Sequence, residues 1–169
     1  MDMLTTLQAQ RAAFQAELPV PLEARRDRLT RAIAMLSENA DAFCTALSND
    51  FGHRSREQSM ITDIAASVRT LKHARKHLER WARPEKRRLD LPLRVLGAKA
   101  QVEYQPKGVV GVIAPWNFPV QLTMGPLAGI FAAGNRAMVK SSEFTPRTAA
   151  LFETLAQRYF KAEELAFVS

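Results

Sequence analysis

An asparagine set between two aromatic residues and two prolines is the feature of this sequence with the clearest potential for chemistry. The segment PWNFP, residues 115 to 119, follows a short apolar run at residues 109 to 114. Proline fixes its own φ and restricts the residue before it, so this loop should be stiff. A stiff loop can hold the side-chain N–H donors of Asn117 where they would stabilise an oxyanion formed by attack on a carbonyl. Asn117 is equally suited to capping the helix that follows, and both interpretations remain open.

A second polar cluster lies after the next apolar run, residues 137 to 139. Lys140 and Glu143, three residues apart, offer one donor and one acceptor to the hydroxyl groups of a ligand. Alone, the cluster would be an ordinary polar loop with a capping acid. Because ligands bind outside the carboxyl ends of parallel strands, two such clusters at neighbouring strand ends predict a shared site. The sequence has no G-x-G-x-x-G fingerprint, so a standard dinucleotide turn is not predicted.

The elements that would position these clusters alternate between strand and helix. Residues 109 to 114 are typical of a strand buried on both faces, and residues 137 to 139 predict a second strand. Residues 120 to 133 suit a buried helix ending at Gly134-Asn135. A further helix is predicted to begin at Thr145-Pro146. This order predicts a parallel sheet with right-handed crossovers.

The first half of the chain has helical periodicity. Helices are predicted over residues 4 to 18 and 22 to 49, the second with a break near residues 37 to 39. Ser55 and Gln58 have the spacing of a capping box before another helix. The apolar stripe of that helix comprises Ile61, Ile64, Val68, Leu71, Leu78 and Trp81.

Two segments follow that helix before the predicted sheet. Residues 85 to 98 have no steady period and are predicted to be a connector. Residues 99 to 104 alternate as a strand does.

Composition narrows the class of protein. An apolar share of 47% excludes a disordered chain. One cysteine, Cys44, excludes an internal disulfide and predicts a reducing, cytoplasmic compartment. No signal peptide or membrane span is predicted.

His73 and His77 lie four residues apart, but no third ligand accompanies them, so surface histidines are predicted rather than a metal site.

Positive charge is concentrated in one segment. The formal net charge is +7, and residues 69 to 99 carry eleven basic and three acidic residues. Such a segment can hold a nucleic acid, or it can be a solvated helix face followed by a loop. Trp81 is the only aromatic residue there, so base stacking has no support and nucleic-acid binding is not expected.

Residues 105 to 146 (QPKGVVGVIAPWNFPVQLTMGPLAGIFAAGNRAMVKSSEFTP) resemble the aldehyde dehydrogenase superfamily. The family pattern is PWNFP, a helix ending in AAGN and a strand ending in K-P-S-E, and Asn117 and Lys140 have the family spacing. Ser141 stands where the family usually has proline. The segment DFGHRSREQS, residues 50 to 59, is similar to the coniferyl aldehyde dehydrogenase group, near the short class 3 enzymes.

The resemblance implies NAD(P)-dependent oxidation of an aldehyde to an acid, with a thiolate as nucleophile. It implies Asn117 as an oxyanion donor and Lys140 with Glu143 as ligands of the adenosine ribose. Ile113, Ala114, Pro115 and Trp116 would line the cofactor groove. Glu143 favours NAD over NADP, because an acid at the ribose disfavours a 2′-phosphate.

The resemblance also sets expectations for the organisation of the chain. The fold class is α/β, with an N-terminal helical region and connector at residues 1 to 98. A partial, truncated Rossmann-like NAD-binding domain follows at residues 99 to 169. The family nucleophile and general base lie downstream of these motifs, so this chain is expected to be a fragment, inactive alone. The full-length form is expected to act on an aromatic, coniferyl aldehyde-like substrate as a homodimer. The alternative is a non-catalytic helical dimerisation or basic binding module.

Overall fold

The computed structural model describes residues 2–168 and contains helices packed against a parallel sheet. The helices are α1 (Met3–Glu17), α2 (Leu22–Glu38), α3 (Ala40–Phe51), α4 (Arg56–Ser59), α5 (Ala66–Trp81), α6 (Leu91–Val95), α7 (Gln121–Ala132) and α8 (Pro146–Tyr159). The strands are β1 (Glu85–Arg87), β2 (Ala100–Val102), β3 (Val109–Ile113), β4 (Arg136–Lys140) and β5 (Leu165–Val168).

The predicted parallel sheet is confirmed. It has the strand order β3-β4-β5, with both pairings parallel. Helix α7 connects β3 to β4, and α8 connects β4 to β5. Helix α7 ends where expected, since Gly134 has a φ of 85° and donates its N–H to the carbonyl of Phe131. This positive φ is a conformation that glycine adopts at little cost.

The predicted break in the second helix is also confirmed. Helix α2 ends at Glu38 and α3 begins at Ala40, with Asn39 as the capping residue between them. Ser55 caps α4 by accepting a hydrogen bond from the backbone N–H of Gln58 at 3.1 Å.

The prediction for the apolar stripe after Ser55 is partly wrong. A π-helical segment, Met60–Ala65, joins α4 to α5. The wider turn changes which side chains face inward. Ile64, Leu71 and Leu78 are buried as predicted, but Ile61 and Trp81 are exposed.

The predicted connector at residues 85 to 98 is more ordered than expected. It contains β1 and the short helix α6, and β1 pairs antiparallel with β2. The apolar side chains of this unit are exposed, namely Leu91, Leu93, Val95, Leu96, Val102 and Tyr104. Without a buried face, the segment has no periodicity from which its structure could be predicted.

Strand β3 is not buried on both faces as its sequence predicted. Val112 is buried, whereas Ile113 is 85% exposed. The face of β3 that carries Ile113 is therefore uncovered at the carboxyl end of the strand.

One hydrophobic cluster includes side chains from both halves of the chain. Leu36 and Leu71 from the N-terminal helices belong to it, as do Phe131 and Phe152 from α7 and α8. The division at residues 98 and 99 stays a prediction. Among residues 2–168, no helix combines the length and apolar character needed to cross a bilayer.

Candidate active site

The two polar clusters lie at the carboxyl ends of neighbouring strands, on the same side of the sheet. Ile113, the last residue of β3, is in register with Lys140, the last residue of β4. The N–H of Ala114 donates to the carbonyl of Lys140 at 2.9 Å. Because the strands are parallel, the loop containing Asn117 and the loop containing Glu143 leave the sheet side by side.

Asn117 is exposed in the loop after β3. Its backbone carbonyl accepts a hydrogen bond from Arg54 Nη1 at 3.2 Å. Among residues 2–168, its side-chain carboxamide makes no hydrogen bond, so both amide N–H groups are available to a ligand. Trp116 is exposed beside it, while Pro119 and Val120 are buried and anchor the end of the loop.

The alternative in which Asn117 caps the next helix is wrong. Helix α7 begins at Gln121, and its N-terminal amides are satisfied by a side chain distant in sequence. Asp63 Oδ1 accepts hydrogen bonds from the N–H groups of Val120 at 3.1 Å and Gln121 at 3.2 Å.

Sequence reasoning missed the role of Asp63. The only signal was an acidic residue beside Ile64 in a helix with an otherwise regular apolar stripe. The π-helical turn that rotates Asp63 inward leaves no recognisable pattern in a single sequence.

An open cleft of about 320 Å³ lies next to Asn117. Its lining residues are Phe51, His53, Arg54, Gln58, Asn117 and Phe118. The Arg54 guanidinium carbon lies 5.0 Å from the centre of the Phe51 ring and 5.1 Å from that of Phe118. The cleft thus combines aromatic walls with polar groups, which suits a flat, partly polar ligand.

Lys140 and Glu143 form an exposed ion pair, with 3.1 Å between Lys140 Nζ and Glu143 Oε2. Lys140 Nζ also donates to the carbonyl of Ser141 at 3.1 Å, which helps to order the loop where the family pattern has proline. The backbone N–H of Glu143 and the Lys140 ammonium lower the pKa of the Glu143 carboxyl, so it is ionised at neutral pH. Exposed ion pairs contribute little to stability and separate at little cost.

The exposed groups at the ends of β3 and β4 differ in character. Lys140 offers a donor and Glu143 an acceptor at the end of β4. Ile113 and Trp116 present exposed apolar surface at the end of β3, where a ring system would cover it. The side chain of Ala114 is buried and its N–H is already bonded within the sheet.

Cys44 lies on α3 and is buried. Its residue is only 4% exposed. Burial raises the pKa of the thiol, so the reactive thiolate is disfavoured. Within residues 2–168, no group of three or more His, Cys, Asp or Glu side chains is arranged to hold a metal ion.

Comparison with protein families gives one match that spans nearly all of the chain. The profile described as the aldehyde dehydrogenase family matches residues 1–163. Coniferyl aldehyde dehydrogenase of Pseudomonas sp. (strain HR199 / DSM 7063) is 54% identical over 164 residues, covering 97% of this chain and 33% of that protein. Probable coniferyl aldehyde dehydrogenase of Caulobacter vibrioides is 50% identical over 165 residues, covering 97% and 34%.

Solved structures show the same fold. A substrate-bound structure of Staphylococcus aureus AldH has a TM-score of 0.90 at 28% identity, covering 99% of this chain and 36% of that chain. Succinic semialdehyde dehydrogenase from Streptococcus pyogenes, in complex with NADP+, has a TM-score of 0.85 at 19% identity, covering 98% and 35%. The chain spans about a third of the length of the curated relatives it matches.

Proposed function

This chain belongs to the aldehyde dehydrogenase family, and on that premise we propose that it forms the amino-terminal part of an enzyme that oxidises an aromatic aldehyde to the carboxylic acid with NAD(P)+. The observation that carries the proposal is the free carboxamide of Asn117. It lies at the carboxyl edge of a parallel sheet, beside the Lys140–Glu143 pair and an aromatic-lined cleft.

In the proposed mechanism, Asn117 acts on the carbonyl oxygen. Attack by a nucleophile turns this oxygen into an oxyanion, which accepts a hydrogen bond from the side-chain N–H of Asn117. The carboxamide has no competing partner among residues 2–168, so it can bind the oxyanion without first breaking a bond within the protein. A bound nicotinamide cofactor would supply the hydride acceptor for the oxidation. Cys44, buried on α3, does not supply the nucleophile.

Lys140 and Glu143 would hold the ribose of the cofactor. Lys140 would donate a hydrogen bond to one hydroxyl oxygen, and the Glu143 carboxylate would accept one from a hydroxyl group. The Glu143 carboxylate repels a 2′-phosphate, which supports NAD as the preferred cofactor over NADP. Ile113 and Trp116 would cover the adenosine by apolar contact.

The aromatic substrate class and the assembly are parts of the same proposal. The walls of Phe51 and Phe118 suit an aromatic aldehyde, and the relatives at 54% and 50% identity are described as coniferyl aldehyde dehydrogenases. We propose a homodimer for the longer protein, supported by the exposed apolar side chains of α6 and β2.

The test uses a chimera in which residues 1 to 163 replace the matching segment of the Pseudomonas enzyme. The Asn117→Ala substitution should lower kcat by roughly 100- to 1000-fold, because an oxyanion donor acts mainly in the transition state. KM should change much less. The readout is NADH formation from coniferyl aldehyde.

Asn49→Ala, which removes an exposed carboxamide on α3, is the matched control and should leave kcat unchanged. An unchanged kcat in Asn117→Ala would contradict the proposal. The chain alone should form no NADH, and NADH formation that depends on Cys44 would contradict our assignment of that residue.

A further inference from the structure

An ion pair with almost no solvent exposure lies directly behind the Asn117 loop. Arg54 Nη2 and Asp63 Oδ2 are 2.6 Å apart, and their side chains are 6% and 0% exposed. Removing two charges from water is costly unless their remaining polar groups are also bonded. The other contacts of this pair therefore indicate what it is used for.

Asp63 connects the pair to helix α7. Its Oδ1 accepts from the N–H groups of Val120 and Gln121, which are the first unpaired amides of that helix. A carboxylate is favourable there because the helix N-terminus carries partial positive charge. Burial raises the pKa of this carboxyl, and the bonds from Gln121 and Val120 and the charge of Arg54 partly offset that effect.

Arg54 connects the pair to Asn117 itself. Its Nη1 donates to the Asn117 backbone carbonyl at 3.2 Å, while its Nη2 donates to Asp63. The planar guanidinium also lies near the rings of Phe51 and Phe118. Lysine could not reproduce this geometry, because it lacks two parallel donors on one rigid plane.

The local backbone is adapted to bring Asp63 to this position. Asp63 belongs to the π-helical segment Met60–Ala65. Such segments are rare in proteins overall, and those that occur are often found at functional sites. Ile61 of the same segment is exposed, whereas Asp63 is buried. The segment thus places an acid at the start of α7.

We propose that the Arg54–Asp63 pair positions the Asn117 carboxamide by fixing the loop on both sides of it. Arg54 holds the backbone of residue 117, and Asp63 holds residues 120 and 121, where the loop becomes helix. An oxyanion donor is effective only when its position is fixed before the reaction. This inference rests on the proposed function of Asn117, although neither Arg54 nor Asp63 needs to touch the reacting atoms.

A double-mutant cycle in the chimera separates positioning from general structural support. Arg54→Lys should lower kcat roughly 10- to 100-fold when residue 117 is asparagine, with a much smaller change in KM. In the Asn117→Ala background, the same substitution should change kcat less than about twofold, because the group that Arg54 positions is already absent.

The outcomes distinguish this inference from the function on which it rests. An Arg54→Lys effect of equal size in both backgrounds, or no effect in either, would overturn the positioning role and leave the function of Asn117 intact. If Asn117→Ala itself has no effect, the proposed function fails. The matched control is Arg56→Lys, which alters the exposed Arg56–Asp41 pair and should leave kcat unchanged.

A second measurement uses the 169-residue chain and does not depend on catalysis. In Asp63→Asn, the amides of Val120 and Gln121 should lose roughly tenfold or more of their protection from hydrogen exchange, since bonds to a charged acceptor are lost. In Arg54→Lys, the NMR order parameter of the Asn117 amide should fall from about 0.85 to below about 0.6. The amides of β4 should be unaffected in both variants. Unchanged values at residues 117, 120 and 121 would overturn the proposal.

Discussion

Asn117 shows what single residues reveal from sequence and what they do not. The prolines around it correctly predicted a loop at the end of a strand. The role of its side chain as an oxyanion donor stays a prediction. Arg54, which donates to the Asn117 carbonyl, lies 63 positions earlier in the chain, and Asp63 lies 57 and 58 positions before Val120 and Gln121, the residues that donate to it. Contacts over such separations depend on tertiary packing, so local patterns could not predict them.

Two glycines, one within α7 and one just after it, provide a test at the residue scale. Gly134 has a φ of 85°, and a Cβ there would lie 2.8 Å from Arg25 Nε. Gly129 is exposed within α7, and a Cβ there would have no atom within 4 Å. Gly134→Ala should destabilise the chain by about 1–2 kcal/mol or more, because the left-handed conformation is strained for alanine.

Gly129→Ala is the matched control and should stabilise the chain by about 0.5–1 kcal/mol, since alanine is the better helix former. The measurement is the free energy of unfolding in urea for both variants. Equal effects of the two substitutions would show that the positive φ of Gly134 is not required to end α7.

At the scale of elements, prediction succeeded where a segment has one buried face. Helices α2, α3, α7 and α8 and strands β3 and β4 show clear periodicity or short apolar runs, and all were expected. The failures are β1 and α6, whose side chains are exposed, and the outer face of β3. Burial creates most of the pattern that prediction uses. Strand β2 is an exception, since alternation at residues 99 to 104 predicted it although Gln101 and Val102 are exposed.

An ionic network centred on Glu164 joins elements at the amino-terminal end of the sheet, opposite the candidate site. Its carboxylate accepts from Arg28 Nε at 3.0 Å and from Arg31 Nη1 at 2.8 Å. Although burial alone would raise the pKa of Glu164, the bonds from Arg31 and Arg28 lower it to about 2. The network therefore links α2 to the start of β5.

This depressed pKa predicts a loss of stability in acid. A carboxyl with a lower pKa in the folded state stabilises that state above its unfolded pKa, near 4.5, and the contribution disappears as pH falls toward 2. Partial exposure limits the contribution to about 1–3 kcal/mol. The free energy of unfolding, measured in urea between pH 6 and pH 2, should fall less steeply in Glu164→Gln than in the original chain.

The control for this titration is Glu153→Gln on the exposed face of α8, where the acid forms no ion pair among residues 2–168. It should leave the pH dependence unchanged. If the free energy of unfolding falls equally steeply with pH in Glu164→Gln and the original chain, the pKa of Glu164 does not change on folding.

At the scale of the whole molecule, some parts of the chain share a hydrophobic core and others leave apolar side chains exposed. The N-terminal helices and the sheet contribute to one hydrophobic cluster. The unit formed by β1, α6 and β2 contributes nothing to that cluster and carries apolar side chains on its surface. Strands β3 and β5 are the edges of the three-stranded sheet. Exposed apolar surface and unpaired strand edges both favour association between chains.

The 169-residue chain studied alone is therefore expected to self-associate. Its average mass in sedimentation equilibrium should rise with concentration, and it should bind the dye ANS. Leu93→Ser combined with Val95→Ser should reduce both effects, because the two side chains are 51% and 78% exposed on α6 and each gains about 1.5–3 kcal/mol when buried. Leu4→Ser, at an exposed apolar position on α1, is the control and should have little effect. A chain that stays monomeric at all concentrations and melts sharply and reversibly would show instead that the parallel sheet and its helices are sufficient for a stable fold.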